Sequence, residues 1–493
     1  MRRVASLVVT CAAVVALAAC GSEARDPRES EIVSTLARAD ESLIRTRPRL
    51  VAGKYARMAR GPYDFFRGTV PLFRHDARAG TTSAPSRFGM TVPLVPSLGD
   101  PHPENFGVLR ASDGSLALEP NDFDAADRAP YLWDVRRFAA GLALAATEAN
   151  ADDPGARERD ASERRAVAKA GVLAYRDAIA RRARGEILER WTRFDSPVLA
   201  DLASRANRDE ARRRELLDLT VLEGTSRKLK RGQVDPEDPQ SVLSELPPFA
   251  KEALSDTLAR YRSTLVAPPP IETLRVLDAA REYGSGVASF PRLRALVLVR
   301  GESDDPADDR ILEVKELADS GLAGLYPPGV YANDVGRRIV TTSRGAWARP
   351  DAEPHWGTSS WVGFPCQVRL ESEGQKGVRV ERLVGERGRP EALLAMATAM
   401  GQVLARVHTS GDDGVSVAQA ISARFIVDLD GFVDEQANFG ASYADQTTRD
   451  HAHFVHALQR DGFRLGIPFD AADEPLPDLR ALYGTPPSLP PLP

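Results

Sequence analysis

The sequence predicts an α+β fold in which a mostly helical larger part carries a small antiparallel sheet. The interval Tyr131–Leu265 is rich in arginine and glutamate at helical spacing and predicts four or five helices. After Pro268–Pro270 the period changes, and two short apolar runs, Leu293–Val299 and Ile311–Glu316, flank an acidic turn as in a hairpin. Helical spacing returns from Pro390 onward.

The composition is that of a soluble globular protein. Of the 493 residues, 43% are hydrophobic and 27% are charged, and this length accommodates two or three domains or one large bilobal domain. The formal net charge of -5 and the sequence pI near 5.9 indicate no basic surface for nucleic acid. Arginines are interspersed with acidic residues, which is typical of solvated helix faces. We therefore expect no nucleic-acid partner.

Residues 1–19 are predicted to be a lipoprotein signal peptide. Arg2 and Arg3 form its positive region, and the apolar core Val4–Ala16 is too short to span a bilayer comfortably. Leu17–Cys20 resembles a bacterial lipobox, so we expect cleavage before Cys20 and lipidation of its thiol. The protein would then be exported and membrane-anchored, in the periplasm or at the outer membrane if the cell has two membranes. An ordinary secretory signal is the alternative.

Shifts in composition divide the remaining chain into a tether, two lobes and a tail. The predicted segments are the tether at 20–31, a catalytic-loop and helical lobe at 32–270, a small β-rich lobe at 271–389, helices that complete the large lobe at 390–475, and a Pro-rich tail at 476–493. Cys11 leaves with the signal, Cys20 carries the lipid and Cys366 remains, so no disulfide is expected within the mature chain.

The mature chain begins with a predicted helical segment that precedes one candidate anion-binding residue. Ile32, Leu36 and Leu43 have helical spacing. Arg67 follows an aromatic pair and precedes a glycine in F-F-R-G-T. Its guanidinium either reaches an anion such as a cofactor phosphate or forms a structural ion pair, and both interpretations stay open.

Polar residues typical of a phosphoryl-transfer site are concentrated between Gly99 and Asp124, which reads G-D-P-H-P-E-N-F-G and then N-D-F-D. Flanking apolar pieces predict a hairpin with Asp113–Gly114 at its turn, which leaves the polar side chains in loops at strand ends. Phosphoryl transfer needs one carboxylate to orient a hydroxyl, and an amide and a second carboxylate to hold magnesium. The candidates are Asp100, His102, Asn105, Asp122 and Asp124. Alternatively this is a plain loop, and Asn121–Asp122 caps the next helix.

A second candidate region follows a predicted helix at Ile271–Glu282. Gly284–Ser289 is a glycine-rich turn, and Lys315 lies inside the second strand of the hairpin after it. Glycines let backbone amides approach phosphates, and a strand lysine can pair with them. The candidate phosphate-binding residues are Gly284, Gly286, Ser289 and Lys315. Neither signal is specific alone, because many turns contain glycine and a strand lysine is commonly solvated.

The remaining chain predicts two more strands, Trp361–Leu370 and Val378–Val384, and helices over Pro390–His408 and Ala441–His456. The last helical region carries three histidines. A helical zinc site needs a second histidine four residues after His451, where valine stands, so a partly exposed helix face is the favoured interpretation.

Together the motifs resemble a widespread bacterial family known as domain of unknown function 2252, over nearly the whole mature chain. The motifs that carry the resemblance are G-D-P-H-P-E-N-F-G, N-D-F-D-A-A, W-D-V-R-R, F-F-R-G-T, V-K-E and Y-A-D-Q. The same residues also resemble the aminoglycoside phosphotransferase and protein-kinase-like group, whose loop reads G-D-x-H-x-x-N and is followed by D-F-x.

The kinase-like resemblance implies a bilobal fold, with a mostly helical large lobe and a small antiparallel sheet lobe, that uses ATP with magnesium or manganese. It makes Asp100 the catalytic base, Asn105 and Asp122 metal ligands, and Asp134 a structural aspartate. We group the candidates as catalytic Asp100, His102 and Lys315; cofactor-binding Arg67, Gly284, Gly286, Ser289 and Lys315; metal-binding Asn105, Asp122 and Asp124; and Cys20 for lipidation.

The order of the motifs is rotated relative to that group. There the glycine-rich loop and strand lysine precede the catalytic loop, whereas here Gly284–Ser289, Lys315 and the helix ending at His408 all follow it. A circular permutation produces this order and preserves the spatial arrangement, because it needs only termini that can be joined. The chain departs from the group after the lysine strand, where Thr341–Thr342 stands in place of an acidic partner.

Three functions follow as hypotheses. The first is ATP-dependent phosphoryl transfer to a hydroxyl of a small molecule, glycan or protein. The second is a kinase-like binding module of the cell envelope that has lost catalysis, which an exported location favours. The third is a metal-dependent phosphoesterase. Two-metal hydrolases need several further Asp, His and Asn ligands. This chain has only seven histidines and no G-N-H-E motif, which argues against the third hypothesis.

Overall fold

The computed structural model describes residues 26–79, 85–89, 94–151, 159–233, 242–283, 286–318, 331, 334–372 and 374–465. The predicted signal peptide, Cys20 and Gly284 lie outside these ranges. The described chain has an α+β fold, with helices packed on one another and several antiparallel sheets. None of the helices described is long and apolar enough to cross a membrane.

The helices fall into an N-terminal group, a middle group and a C-terminal group. The N-terminal helices are α1 (Pro27–Ala39), α2 (Glu41–Thr46), α3 (Pro48–Met58), α4 (Pro62–Gly68) and α5 (Val70–Ala79). The middle helices are α6 (Tyr131–Glu148), α7 (Ala161–Ala183), α8 (Pro197–Arg212), α9 (Arg214–Leu219), α10 (Pro248–Glu252), α11 (Leu254–Arg262) and α12 (Val335–Ala346). The C-terminal helices are α13 (Pro390–His408), α14 (Gly414–Phe425) and α15 (Leu429–Asp461).

The strands pair antiparallel throughout the described ranges. They are β1 (Val95–Ser97), β2 (Phe106–Arg110), β3 (Leu116–Pro120), β4 (Asp127–Ala129), β5 (Thr220–Glu223), β6 (Ser226–Leu229), β7 (Gly232–Gln233), β8 (Val242–Glu245), β9 (Val276–Tyr283), β10 (Arg294–Val299), β11 (Arg310–Glu316), β12 (Gly357–Trp361), β13 (Phe364–Leu370) and β14 (Lys376–Gly377). The largest sheet has the order β12-β13-β11-β10-β9-β8-β7, and the smaller ones are β14-β2-β3, β1-β4 and β5-β6.

Helices α6, α7, α13 and α15 form the main apolar core. The predicted apolar stripe of α6, from Val135 through Phe138 to Leu142, is fully buried. Gly401 of α13 allows a close helix crossing, since a Cβ there would lie 2.1 Å from the backbone oxygen of Gly171 in α7. The bounds of α13 coincide with the predicted helix. This core holds the loops that precede α6 and the end of α13.

The predicted hairpin before α6 is confirmed. Strands β2 and β3 pair from Phe106 with Pro120 to Arg110 with Leu116. Gly114 in the turn has φ +80, a left-handed conformation that glycine adopts without strain. Because β1 pairs with β4 on the other side, both polar loops of the motif emerge from paired strands.

The prediction of a helix at Ile271–Glu282 is wrong. Ile271–Leu274 forms one turn of 3-10 helix, and β9 follows it as a strand between β8 and β10. Ladder pairing on both edges decides the conformation, and a short apolar run cannot be assigned to helix or strand by periodicity alone.

The predicted strand at Val378–Val384 is also wrong. Pairing with β2 stops at Gly377, and Val380–Arg382 is a 3-10 turn. The reason is local: the backbone amide of Val380 donates to Oε1 of Glu104, a buried side chain, instead of entering a strand ladder.

The interval Tyr131–Leu265 is not helical throughout, because β5 to β8 interrupt it. Gly224 turns the β5–β6 hairpin with φ +64. Strands β7 and β8 join the large sheet, and α10 and α11 pack on its apolar face, where Trp361 Nε1 donates to the Ala250 oxygen over 2.9 Å. The packing on the sheet therefore begins before the predicted boundary at residue 270.

Candidate functional site

A cleft of about 860 Å³ lies between the motif loops, the N-terminal helices and the large sheet. It collects most of the side chains that the sequence singles out, although they come from distant parts of the chain. The predicted site residues that line it are Arg67, Asp100, His102, Asn105, Asp122, Asp124, Gly286 and Ser289.

Asp134, at the start of α6, supports the loop that carries Asp100. Its Oδ1 accepts from the Ser97 hydroxyl at 2.7 Å and the Gly99 amide at 3.0 Å, and its Oδ2 accepts from the Leu98 amide at 2.7 Å. Its Oδ2 also lies 3.1 Å from Nε2 of His408, at the end of α13. Asp134 therefore fixes the backbone of the loop that carries Asp100.

Asp100 is buried and bound by one arginine. Nε of Arg137 donates to its Oδ1 at 2.8 Å, and the same guanidinium donates to the Phe66 oxygen at 2.6 Å. Burial raises the pKa of Asp100 above its ordinary value, although Arg137 opposes this shift. A carboxylate with a raised pKa is a stronger proton acceptor, which suits a general base.

His102 is buried next to Asp100. Its Nε2 is 3.5 Å from Oδ2 of Asp100, and its ring makes an edge contact with Tyr63. Within the described residues its buried Nδ1 has no hydrogen-bond partner. Burial lowers the pKa of His102 well below its ordinary value, so the ring beside the Asp100 carboxylate is neutral.

Asn105 joins the two polar loops. Its Nδ2 donates to the backbone oxygen of Asp100 at 2.8 Å, which leaves its Oδ1 available to a ligand. Its own backbone oxygen accepts from the Asn121 amide at 3.1 Å. The Asp122 carboxylate is fixed by the Asp124 amide, which donates to Oδ1 at 2.9 Å. The first loop thus directs an amide oxygen toward the same cleft as the second loop's carboxylates.

Lys315 of β11 reaches the second polar loop. Its Nζ lies 2.6 Å from Oδ2 of Asp124, 191 residues away in sequence, and only 5% of the lysine is exposed. Burial alone would raise the pKa of Asp124, but the ammonium of Lys315 lowers it below its ordinary value. The opposite holds for Asp122, whose pKa is raised by burial and by the negative charge of Asp124. Lys315 is therefore a buried site residue and not a solvated one.

Asn105, Asp122 and Asp124 fit a hard divalent cation. Magnesium prefers carboxylate and amide oxygens. Oδ1 of Asp124 is buried and accepts no hydrogen bond within the described residues. A buried oxygen without a partner is costly, and a cation bound between Asp122 and Asp124 would remove both that cost and the repulsion of the two carboxylates.

Sequence analysis missed Arg338 of α12. Its guanidinium donates to the backbone oxygens of Asp124 at 3.1 Å and Ala318 at 2.7 Å, and to that of Ala126. It thereby ties the second polar loop to the end of β11. Helix α12 has no acidic side chain that could pair with Lys315. The lysine pairs with Asp124 instead. In the sequence, the signal for this residue is an arginine among the apolar positions of an amphipathic helix.

The remaining cofactor candidates line the cleft but differ in their contacts. Arg67 forms ion pairs with Asp64 at 3.2 Å and Glu104 at 3.0 Å while lining the cleft. Gly286 has φ +75, and its backbone oxygen accepts from Arg57 at 3.0 Å. Ser289 follows on the same turn and lines the cleft.

The C-terminal histidines do not converge. His451 Nε2 is 3.1 Å from the Ala59 oxygen, and His456 Nδ1 is 2.7 Å from Oε2 of Glu29. No metal cluster within the described residues includes either of them. Glu31, His75 and Asp76 do lie close together, but Arg28 already pairs with both acids, at 2.7 and 2.8 Å.

Fold and site define an α+β protein with a polar cleft between an antiparallel sheet and a helical body. The family model described as "Uncharacterized protein conserved in bacteria (DUF2252)" matches residues 45–457, and the chain belongs to this family. No curated protein and no solved structure matches the chain.

Proposed function

We propose that this protein is a phosphotransferase with a circularly permuted, kinase-like bilobal fold, which transfers the terminal phosphoryl group of ATP to a hydroxyl. The observation that carries the proposal is the 2.6 Å contact between Lys315 and Asp124. It joins the strand lysine to the D-F-D loop despite their rotated order, as a permuted kinase-like site requires.

The order in which the strands are connected also supports a kinase-like site. The turn containing Gly286 and Ser289 connects β9 to β10, and Lys315 follows on β11. In protein kinases a glycine-rich loop covers the phosphates and the lysine lies on the third strand. Here β9, β10 and β11 pair in sequence, with the glycine-containing turn between β9 and β10 and the lysine on β11, although β7 and β8 precede them in the same sheet.

Each motif residue then has a role in one balanced step. The acceptor oxygen forms a bond to the terminal phosphorus, the bond from that phosphorus to the bridging oxygen breaks, and ADP leaves with the electron pair. The hydroxyl proton passes to the carboxylate of Asp100, which Arg137 orients beside the neutral ring of His102. Asn105, Asp122 and Asp124 would hold magnesium or manganese, which supplies charge neutralisation for the phosphates.

The second candidate is a kinase-like binding module that has lost catalysis. In active kinases the strand lysine must form an ion pair with a glutamate of a helix. Here Lys315 pairs with Asp124, and α12 carries Arg338 and no acidic side chain. An exported location also favours this candidate. We propose that Cys20 is lipidated and tethers the protein to a membrane outside the cytoplasm, where little ATP is present.

Thermal denaturation of the purified mature protein with nucleotides tests the proposal. ATP with magnesium or manganese should raise the Tm more than ATP with EDTA. Asp122→Asn should abolish this metal dependence, whereas Asp113→Asn, in the exposed turn of the same hairpin, should leave it unchanged. No shift with any of ATP, GTP or ADP, with either metal, would overturn the nucleotide site.

A further inference from the structure

Several arginines from outside the motif loops line the wall of the cleft that the N-terminal helices form. Arg74 and Arg78 lie one helical turn apart on α5, so both project from one face of that helix. Arg38, at the end of α1, and Arg292, before β10, line the same cleft. None of these residues belongs to the motif loops, and the phosphotransfer step uses none of them.

Arg74 lies at the junction of the two polar loops. Its Nη2 donates to the Ala125 oxygen at 3.3 Å, and it would be 2.9 Å from a Cβ at Gly99. Only 5% of Arg74 is exposed. Burial lowers its pKa to about 10, with Arg137 and Arg78 contributing, although Asp100 opposes them. Arg74 therefore places a second guanidinium near Asp100, on the side where an acceptor hydroxyl would approach.

The acidic groups of the cleft leave the charges of Arg38 and Arg78 uncompensated within the described residues, because most of these groups already have cationic partners. Asp40 binds Lys54 at 2.6 Å, and Glu316 binds Arg47 at 2.6 Å and Arg292 at 3.5 Å. As described above, Asp100 binds Arg137 and Asp124 binds Lys315, and Asp122 is assigned to the metal.

Arg38 and Arg78 are the two arginines of this wall that remain available to a ligand. Across the described ranges neither forms an ion pair, and both are exposed at the cleft. The guanidinium carbon of Arg78 also lies 5.8 Å from the centroid of the Trp133 ring, which favours an ordered side chain. Guanidinium groups recognise carboxylates and phosphates through paired hydrogen bonds.

We propose that the acceptor bound beside Asp100 is an anionic hydroxyl compound, whose carboxylate or phosphate is held by Arg38 and Arg78, with the buried Arg74 adding positive charge behind them. To call this ligand an acceptor rests on the proposed phosphotransfer. The binding of an anion at this site does not require turnover. A cationic acceptor such as an aminoglycoside does not fit this wall, because it would add positive charge beside three arginines.

The test is a set of closely related sugars that differ in charge. We would measure the Tm of the mature protein with glucuronate, glucose 6-phosphate, glucose and glucosamine, each with and without ATP and magnesium. We expect the two anionic sugars to raise the Tm, and the neutral and cationic ones to have little effect. Arg78→Glu and Arg38→Glu should each reduce the Tm shift with the anionic sugars. The apparent affinity, obtained from the dependence of that shift on sugar concentration, should fall at least tenfold. Arg45→Glu, on α2 with a 75% exposed side chain, is the matched control.

The outcomes separate this inference from the proposed function. Stabilisation by anionic sugars without any nucleotide effect would retain the anion site and reject phosphotransfer. Nucleotide binding without preference for anionic sugars would reject the anionic acceptor alone. If Arg78→Glu weakens ATP binding and leaves the sugar effect intact, the arginines bind the nucleotide and the inference is wrong. Arg74 stays unchanged in these variants, because its buried side chain also supports the loops.

Discussion

Asp134 and His408 meet in the interior, with 3.1 Å between Oδ2 and Nε2, although 274 residues separate them. The other ring nitrogen of His408 lies 2.8 Å from the hydroxyl of Tyr175 in α7. With Nε2 protonated, the ring donates to Asp134 and accepts from Tyr175. This chain of contacts ties α6, α7 and α13 to the loop that carries Asp100.

Asp134→Ala should therefore destabilise the whole fold. The change leaves the buried amide of Leu98 and the buried hydroxyl of Ser97 without their acceptor, and each such loss costs about 1–3 kcal/mol. We expect the free energy of unfolding in urea to fall by about 3 kcal/mol or more. Asp113→Ala, at an exposed turn, serves as the control. A loss no larger than that of the control would contradict the structural role.

Asp100→Asn and Asp122→Asn should fail in different ways. Asp122→Asn removes a charged ligand, so it should weaken metal-dependent nucleotide binding. Asp100→Asn should leave binding nearly intact and reduce turnover roughly 10²- to 10⁴-fold, the range that general-base assistance provides. Calorimetric titration with ATP and magnesium, together with a coupled assay for ADP, measures the two effects.

Each competing hypothesis predicts another outcome from these variants. A binding module would lose affinity with Asp122→Asn and show no turnover in the parent protein. A phosphoesterase would hydrolyse p-nitrophenyl phosphate with metal and without nucleotide, and both changes would abolish that activity. If neither variant alters binding or turnover, the two loops are structural only.

Glu371 should make the stability of the protein depend on pH. Burial and the charges of Glu313, Glu215 and Glu282 raise its pKa to about 8, from 4.5. The folded protein thus binds this proton more tightly than the unfolded chain, so the stabilisation is complete below pH 4.5 and is lost as the pH rises to about 8. Because the carboxyl is only partly buried, we expect a loss of about 1–2 kcal/mol between pH 5 and 8.

Glu371→Gln should remove most of that slope and make the variant more stable than the parent at pH 8. Urea unfolding at several pH values measures the difference. Glu41→Gln, at an exposed position of α2, should retain the parent slope. An unchanged slope in Glu371→Gln would show that the carboxyl does not retain its proton.

Cys20→Ser should abolish incorporation of labelled fatty acid and release the protein from the membrane fraction. The reason is that the proposed lipid on the Cys20 thiol is what would hold the protein at the membrane. Cys366→Ser, a change at a buried thiol, controls for labelling at other cysteines. Retention of the Cys20→Ser protein in membranes would refute lipid anchoring at this residue.

Local signals predicted part of the fold well. The Asp113–Gly114 turn and its flanking apolar runs predicted the β2–β3 hairpin, and a regular apolar period predicted α13 from Pro390 to His408. The strand β9 was predicted as a helix, because its conformation depends on β8 and β10, which lie elsewhere in the chain.

The sequence alone determined the family, the α+β class and the polar residues of the two loops, because turn chemistry and periodicity are local properties. Only the tertiary structure decided which charges meet: Lys315 with Asp124, Arg137 with Asp100, Arg338 with the loop backbone, and Arg74 beside both loops. The physical reason is burial. Charged groups removed from water must find partners in space, and those partners can lie far apart in the chain, as His408 and Asp134 do with 274 residues between them.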